Sequence, residues 1–210
     1  MLKGVVLFTG KEIWEPTVNH CKTNETANFV IDSSGKADAS QYILSLHECL
    51  IAPFKEAGKY FRKCKKQAPV YLAGRNDQIK LSAFKKGLRE LSKSVQVIEG
   101  GTHFEDAYKS LGEFLKLNKH IDSLMCANDI LALAAMKKIK EWGFSIPKDI
   151  AVIGCDNMSY SLFSEPTLST IEIPVNKISN YIIENLIRSI NKKKVTPFKL
   201  ECSLLQRESS

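Results

Sequence analysis

The sequence predicts a doubly wound α/β fold, and three observations lead to that class. Short β-branched runs alternate with longer segments of helical, 3.6-residue period. Most of the short runs are apolar nearly throughout, as expected of parallel strands covered on both faces. The order strand, helix, strand, helix is that of a parallel sheet with crossover helices. A length of 210 residues suits one large domain or two small lobes. With 44% hydrophobic and 25% charged residues, the chain has the composition of an ordinary folded protein and not of a disordered tail.

Taken in order, the strand candidates are Gly4 to Phe8, Phe29 to Ile31, Tyr42 to Leu44, Val70 to Leu72, Val95 to Ile98, Ser123 to Cys126 and Ala151 to Ile153. Helix candidates are His47 to Cys64, Gln78 to Leu91, Phe104 to Leu117, Asp129 to Trp142 and Asn176 to Ile190. The best-defined unit is Ile121 to Asp156. There a buried strand leads to Asn128, whose side chain suits a helix N-cap. Ala132, Ala135, Met136 and Ile139 then follow helical spacing, with alanines small enough to lie close on a sheet. Gly143 supplies a left-handed stop and Pro147 prevents resumption. AVIG forms the next strand. Two polar pairs, Asn128 with Asp129 and Asp156 with Asn157, thus fall at carboxyl ends of strands, outside which open α/β sheets hold their ligands. The last helix has Ile178, Ile182 and Leu186 on one flank and Ile183, Ile187 and Ile190 on the other. One flank should pack on its own sheet; the second is either a broad core stripe or a subunit contact.

Charge and cysteine usage exclude more than they assign. The net charge of +7 resides in clusters such as Arg62, Lys63, Lys65 and Lys66, or Lys85, Lys86 and Arg89. Most lie on a polar helix face or a helix end, where lysine complements the dipole; a phosphate-contacting surface is the alternative. No aromatics interleave with them, and no DNA-binding spacing is visible. None of the six cysteines forms C-x-x-C or stands at metal spacing from a histidine, so reduced, structural cysteines are expected. His103, Glu105 and Asp106 do not share one helical face, so no metal is expected, nor any other cofactor. No catalytic motif appears. No apolar run spans a bilayer, and the start, MLKGVVLFTGKE, reads as a strand instead of a secretory signal, so a cytoplasmic location is expected.

The stretch CANDILALAAMKKIKEWGFSIPKDIAVIGCDNMSYSLFSEPTLSTIEIP resembles the effector-binding domain of the lactose/galactose-repressor family of bacterial transcription regulators. Several fixed spacings match together over Ile121 to Pro174, and the ending LQRES, Leu205 to Ser209, is also similar. From Gly4 to Leu91 the likeness is weaker but collinear. The resemblance implies a two-lobe, periplasmic-binding-protein-like fold with parallel sheets flanked by helices and a small molecule held in the cleft. Crossovers near Ser45, Glu172 and Pro197 would give one lobe of residues 1–44 with 173–196, and another of 45–172 with 197–210. Family members carry a DNA-binding headpiece, a linker and two βα units before the strand matching Gly4 to Phe8. The implied first lobe is therefore incomplete, and operator DNA would be met through a headpiece outside these residues. Family partners are a small-molecule effector, here a carbohydrate or similar polar metabolite, and a second copy as a homodimer, with no membrane.

The ligand-binding candidates are Asp32, Arg75, Asn76, Lys80, Asn128 and Asp156. Asp32 ends the strand FVID, where a carboxylate can accept from two adjacent hydroxyls; a turn before Ser33, Ser34 and Gly35 explains it equally. Arg75 and Asn76, with Asp77, follow the strand VYLAG in a loop the family uses for ligand contact, and an exposed turn is the alternative. Lys80 stands where the family pattern R-L-x-G-F/W has arginine, and replaces a planar fork with a point charge. Asn128 suits both a cap and a hydroxyl partner. Asp156 ends a buried strand where the resemblance implies a ligand acceptor; an Asx-type turn into Met158 is its plainer role. Thr102 occupies the position of the family's stacking aromatic, leaving Phe104 as a substitute or a core residue. A solute-binding receptor for transport or chemotaxis shares this fold, and a small α/β sugar-modifying enzyme is the third reading.

Overall fold

Parallel strands need crossovers long enough to return the chain to the same end of the sheet, and helices supply them here. The computed structural model describes residues 4–9, 16–21, 27–32, 43–75, 77–117, 120–194 and 200–210. In chain order come β1 (Gly4–Thr9), α1 (16–21), β2 (Ala27–Asp32), β3 (Ile43–Ser45) and α2 (Leu46–Lys63). Then follow β4 (Pro69–Ala73), α3 (Gln78–Leu88), a 3₁₀ turn (Arg89–Ser94), β5 (Gln96–Glu99), α4 (Phe104–Leu117), β6 (Ser123–Cys126) and α5 (Asp129–Glu141). The chain closes with β7 (Ala151–Asp156), α6 (Tyr160–Phe163), β8 (Ser169–Glu172), α7 (Val175–Ile190) and β9 (Ser203–Leu205). It divides into two units, Met1–Leu50 with Pro174–Glu201, and Ile51–Ile173 with Cys202–Ser210.

In the first unit β1, β2 and β3 run parallel in that order, with Gly4 opposite Ala27 and Val30 opposite Ile43. Ile178 and Ile182 are the buried flank of α7. A side chain at Gly4 would lie 3.1 Å from Leu186 Cδ1 and 3.2 Å from Ile190 Cδ1, so α7 sits directly on β1. Ile190, grouped by spacing with the outer flank, thus turns toward the sheet. Ile183 and Ile187 remain more than half exposed.

The second unit has the order β5-β4-β6-β7-β8-β9, all parallel except β9, which runs antiparallel to β8. Alternation along β4 shows why both faces are covered. Val70 and Leu72 join Leu111, Leu115, Leu131, Ala135 and Ile139, the inner faces of α4 and α5. Tyr71, on the opposite side, meets Phe54 of α2 and Phe84 of α3 at ring-centroid distances of 6.5 and 5.8 Å. Phe61 and Phe84 pack edge-on at 6.0 Å. All four rings are fully buried, each contributing about 1.5–3 kcal/mol by leaving water. Helices α2 and α3 touch backbone to backbone: a Cβ at Gly58 would sit 2.3 Å from the Phe84 carbonyl, and one at Gly87 2.1 Å from that of Lys55.

Strands β8 and β9 escape the periodicity reading, because β8 buries hydroxyls. Ser169 and Thr170 are fully buried and bonded, Ser169 to the tail and Thr170 to Asp129. Gly143 has φ +81°, which the left-handed stop after α5 requires.

Candidate functional site

Three parallel strands of the second unit, β4, β6 and β7, lead into polar residues at one edge of the sheet. After β4 the chain turns through Gly74. The Asp77 carboxylate organises that turn, accepting from the Gly74 N–H at 2.6 Å and the Tyr71 hydroxyl at 3.4 Å. Arg75 at the turn is exposed and without a hydrogen bond or ion pair among the described residues; Asn76 lies outside them. A depression of about 240 Å³ beside the turn is bordered by Arg75, Asp77, Gln78 and Glu99, and not by Asp156.

One turn into α3, Lys80 points back to this edge. Its ammonium pairs with Asp77 at 3.2 Å, donates to the Ala127 carbonyl at 3.1 Å and lies 5.7 Å from the centre of the Phe54 ring. A lysine where the family pattern has arginine is thus anchored on the protein itself.

Asn128 follows β6. Its Oδ1 accepts from the Leu131 N–H at 2.9 Å, the cap bond expected of it. Asp129, the first residue of α5, is fully buried. Its carboxylate accepts from the Thr170 hydroxyl at 2.6 Å and the Met158 N–H at 2.8 Å. Burial pushes its carboxyl up to about 6, against the lowering effect of those bonds and of Arg207. Gly154 exists to make room: a Cβ there would lie 2.3 Å from Asp129 Oδ1.

Asp156 ends β7 at φ +114° and Asn157 follows at +53°. Consecutive non-glycine residues with positive φ cost on the order of 1–3 kcal/mol each and mark a conformation imposed by surroundings. Burial also pushes the Asp156 carboxyl up to about 6; the Lys80 cation opposes this and the Asp129 carboxylate adds to it. Among the described residues only the neighbouring Cys155 thiol bonds to it. A partly buried carboxylate at a strand end, without amide or hydroxyl donors, can accept from hydroxyls brought by a ligand.

The structure therefore gathers Arg75, Lys80, Asn128 and Asp156 on one edge. Asp32 belongs to the first unit, where it ends β2 opposite Thr9 and Ser45, with its side chain outside the described parts. Phe104 stacks on Tyr108 at 6.2 Å and packs against the core, the plainer of its two readings. Buried Cys126 and Cys155 have thiols held well above their ordinary range. No group of three metal-ligating side chains occurs among the described residues, and no helix among them is long and apolar enough to cross a membrane.

Residues 65–210 match the periplasmic binding protein-like domain. The chain belongs to that family. This periplasmic-binding-protein-like domain is 36% identical over 97 residues to the HTH-type transcriptional repressor PurR of Aliivibrio salmonicida, across 46% of the chain and 29% of the repressor. It is 29% identical over 138 residues to the regulator MalR of Clostridium butyricum, across 62% of the chain and 40% of that protein. The aligned region thus spans about a third of those relatives' length. Solved structures share the fold over nearly the whole chain. A sugar-binding LacI-family regulator of Escherichia coli complexed with phosphate superposes with a TM-score of 0.83 at 19% identity, covering 99% of this chain and 77% of its own. A LacI-family regulator of Enterococcus faecium with bound ribose gives 0.84 at 18%, covering 99% and 79%.

Asp129 and Asn157 are named from sequence in the two polar pairs at strand ends without either being a ligand candidate, and Arg207 has no role there beyond its place in the ending LQRES. The signal for the first two is adjacency to a strand end.

Proposed function

We propose that this domain is the ligand-sensing part of a transcriptional regulator. In this reading it binds a sugar or similar uncharged polyol at the carboxyl edge of the second unit's sheet, and thereby modulates operator binding through a headpiece outside these residues. The observation that carries the reading is Asp156, a partly buried carboxylate held at the end of β7 with no amide or hydroxyl donor among the described residues. Asn128, Lys80 and Arg75 lie on the same edge and offer donors; Asp32 and Asn76 are proposed as further contacts. Two carboxyls, the fully buried Asp129 and the partly buried Asp156, disfavour an anion beside them and favour a ligand rich in hydroxyl donors. The repressor relatives support sensing over catalysis. As in any two-state regulator, the effector acts only through its preference for one conformation. A cytoplasmic location and a homodimer, the latter using the exposed Ile183 and Ile187 flank of α7, complete the proposal.

Calorimetric titration with ribose, lactose, cellobiose, polyols, nucleosides and purine bases tests it. Saturable heat from a neutral hydroxylated ligand, lost in Asp156→Ala, is the expected result. Binding of phosphate alone, unchanged in Asp156→Ala, overturns the reading.

A further inference from the structure

Asp156 stands at φ +114°, outside the small left-handed region that asparagine tolerates, while Asn157 at +53° lies inside it. Something beyond local preference must hold the first, and the contacts of the second supply it. The Asn157 N–H donates to Thr170 Oγ1 at 3.3 Å, and its Nδ2 donates to Glu172 Oε1 at 3.2 Å. Its Oδ1 accepts from the Arg207 guanidinium at 2.6 Å. Thr170 in turn donates to Asp129, which also accepts from the Met158 N–H. Asn157 and Met158, the two residues that follow Asp156, are thus tied to β8 and to α5.

Arg207 is itself fixed from several directions. One guanidinium nitrogen donates to Ser161 Oγ and the Leu168 carbonyl, both at 2.8 Å, and its backbone N–H donates to Ser169 Oγ at 2.8 Å. Two residues on, fully buried Ser209 donates to the Val152 carbonyl at 2.7 Å and accepts from the Ser169 N–H at 2.8 Å. The tail therefore carries a rigid, planar cation to the turn that holds Asp156 and Asn157 at positive φ. A guanidinium suits this because its fork serves three acceptors without rearrangement.

We infer that Asn157, clamped by Arg207, is the positioning residue that holds Asp156 in its presenting conformation, neither side chain itself meeting the ligand. The inference rests on the reading of Asp156 as the effector contact, but its test needs no effector. Asn157→Gly keeps access to φ +53° and the backbone bond while removing both side-chain bonds, so the fold should survive. Carboxyl ¹³C NMR, with the Asp156 resonance assigned by its absence in Asp156→Asn, should then show the titration midpoint falling from about 6 toward the ordinary 3.8 as water reaches the carboxylate. Amide exchange at Asp156, Asn157 and Met158 should rise about tenfold with the lost bonds, with β4 and β6 unchanged. Arg207→Ala should behave alike, and added guanidinium ion at low concentration should restore it but not Asn157→Gly. A midpoint and exchange unchanged in both variants, or an Arg207→Ala defect that guanidinium leaves unrepaired, overturns the inference. A ligand that still binds Asp156→Asn overturns the effector reading instead.

Discussion

Replacing Asp156 by asparagine removes a charge that the fold holds where a charge is disfavoured. Its carboxyl is pushed up to about 6 from 3.8, a difference worth about 3 kcal/mol once both folded and unfolded chains are ionised. Because the folded chain binds this proton more tightly, the proton's stabilising contribution is fully present below about pH 4 and is lost as the pH rises through about 6. Near pH 4.5 only about 1 kcal/mol of the loss has developed, and near pH 8 all of it has. The stability gap between Asp156→Asn and the parent should therefore widen in the variant's favour by about 2 kcal/mol between those conditions. In a chain of this length that corresponds to about 4–8 °C in Tm. Asp129, also pushed up to about 6, titrates in both chains; relief of its like-charge neighbour adds to the gain near pH 8. Differential scanning calorimetry at the two pH values reads the change. An equal gap at both would refute the claim that burial, and not a compensating bond, governs this carboxyl. The expected combination, more stability with less binding, is that of a site maintained against the preference of the fold.

Other substitutions test the scaffold beneath the site. Gly87→Ala forces a methyl to 2.1 Å from the Lys55 carbonyl at the α2–α3 contact, and should cost about 1–3 kcal/mol or more by urea denaturation. Ser209→Ala leaves the Val152 carbonyl and the Ser169 N–H without a buried partner; a loss of about 1–3 kcal/mol is expected in the same assay. Asn128→Ala removes the bond to the Leu131 N–H and should lower stability by about 1 kcal/mol, while Asn128→Asp should retain it and change only ligand affinity. Lys80→Met leaves the Asp77 carboxylate, 6% exposed, without its cation. It should lower Tm, read by differential scanning calorimetry, because a buried charge loses its partner.

What could be read from the chain divides along a physical line. Strands β4, β6 and β7 declare themselves because each is a run of apolar side chains between polar ends, and α5 because its alanines recur at helical spacing with a cap before and a glycine after. β8 does not, since Ser169 and Thr170 have the composition of a turn and become core only when Ser209 and Asp129 take up their hydroxyl and backbone groups from 40 and 41 residues away. The same distinction runs through the site. That Asp156 and Asn128 end strands is a local fact, visible in AVIGCDN and SLMCAND. That Lys80 is anchored on Ala127, 47 residues distant, and Asn157 on Arg207, 50 residues distant, is not local at all. Sequence spacing thus finds the groups that face outward from a strand end, because the strand itself aims them. The groups that hold those in place are chosen by the packing of distant segments, and only coordinates show that the LQRES ending is what steadies the turn after β7.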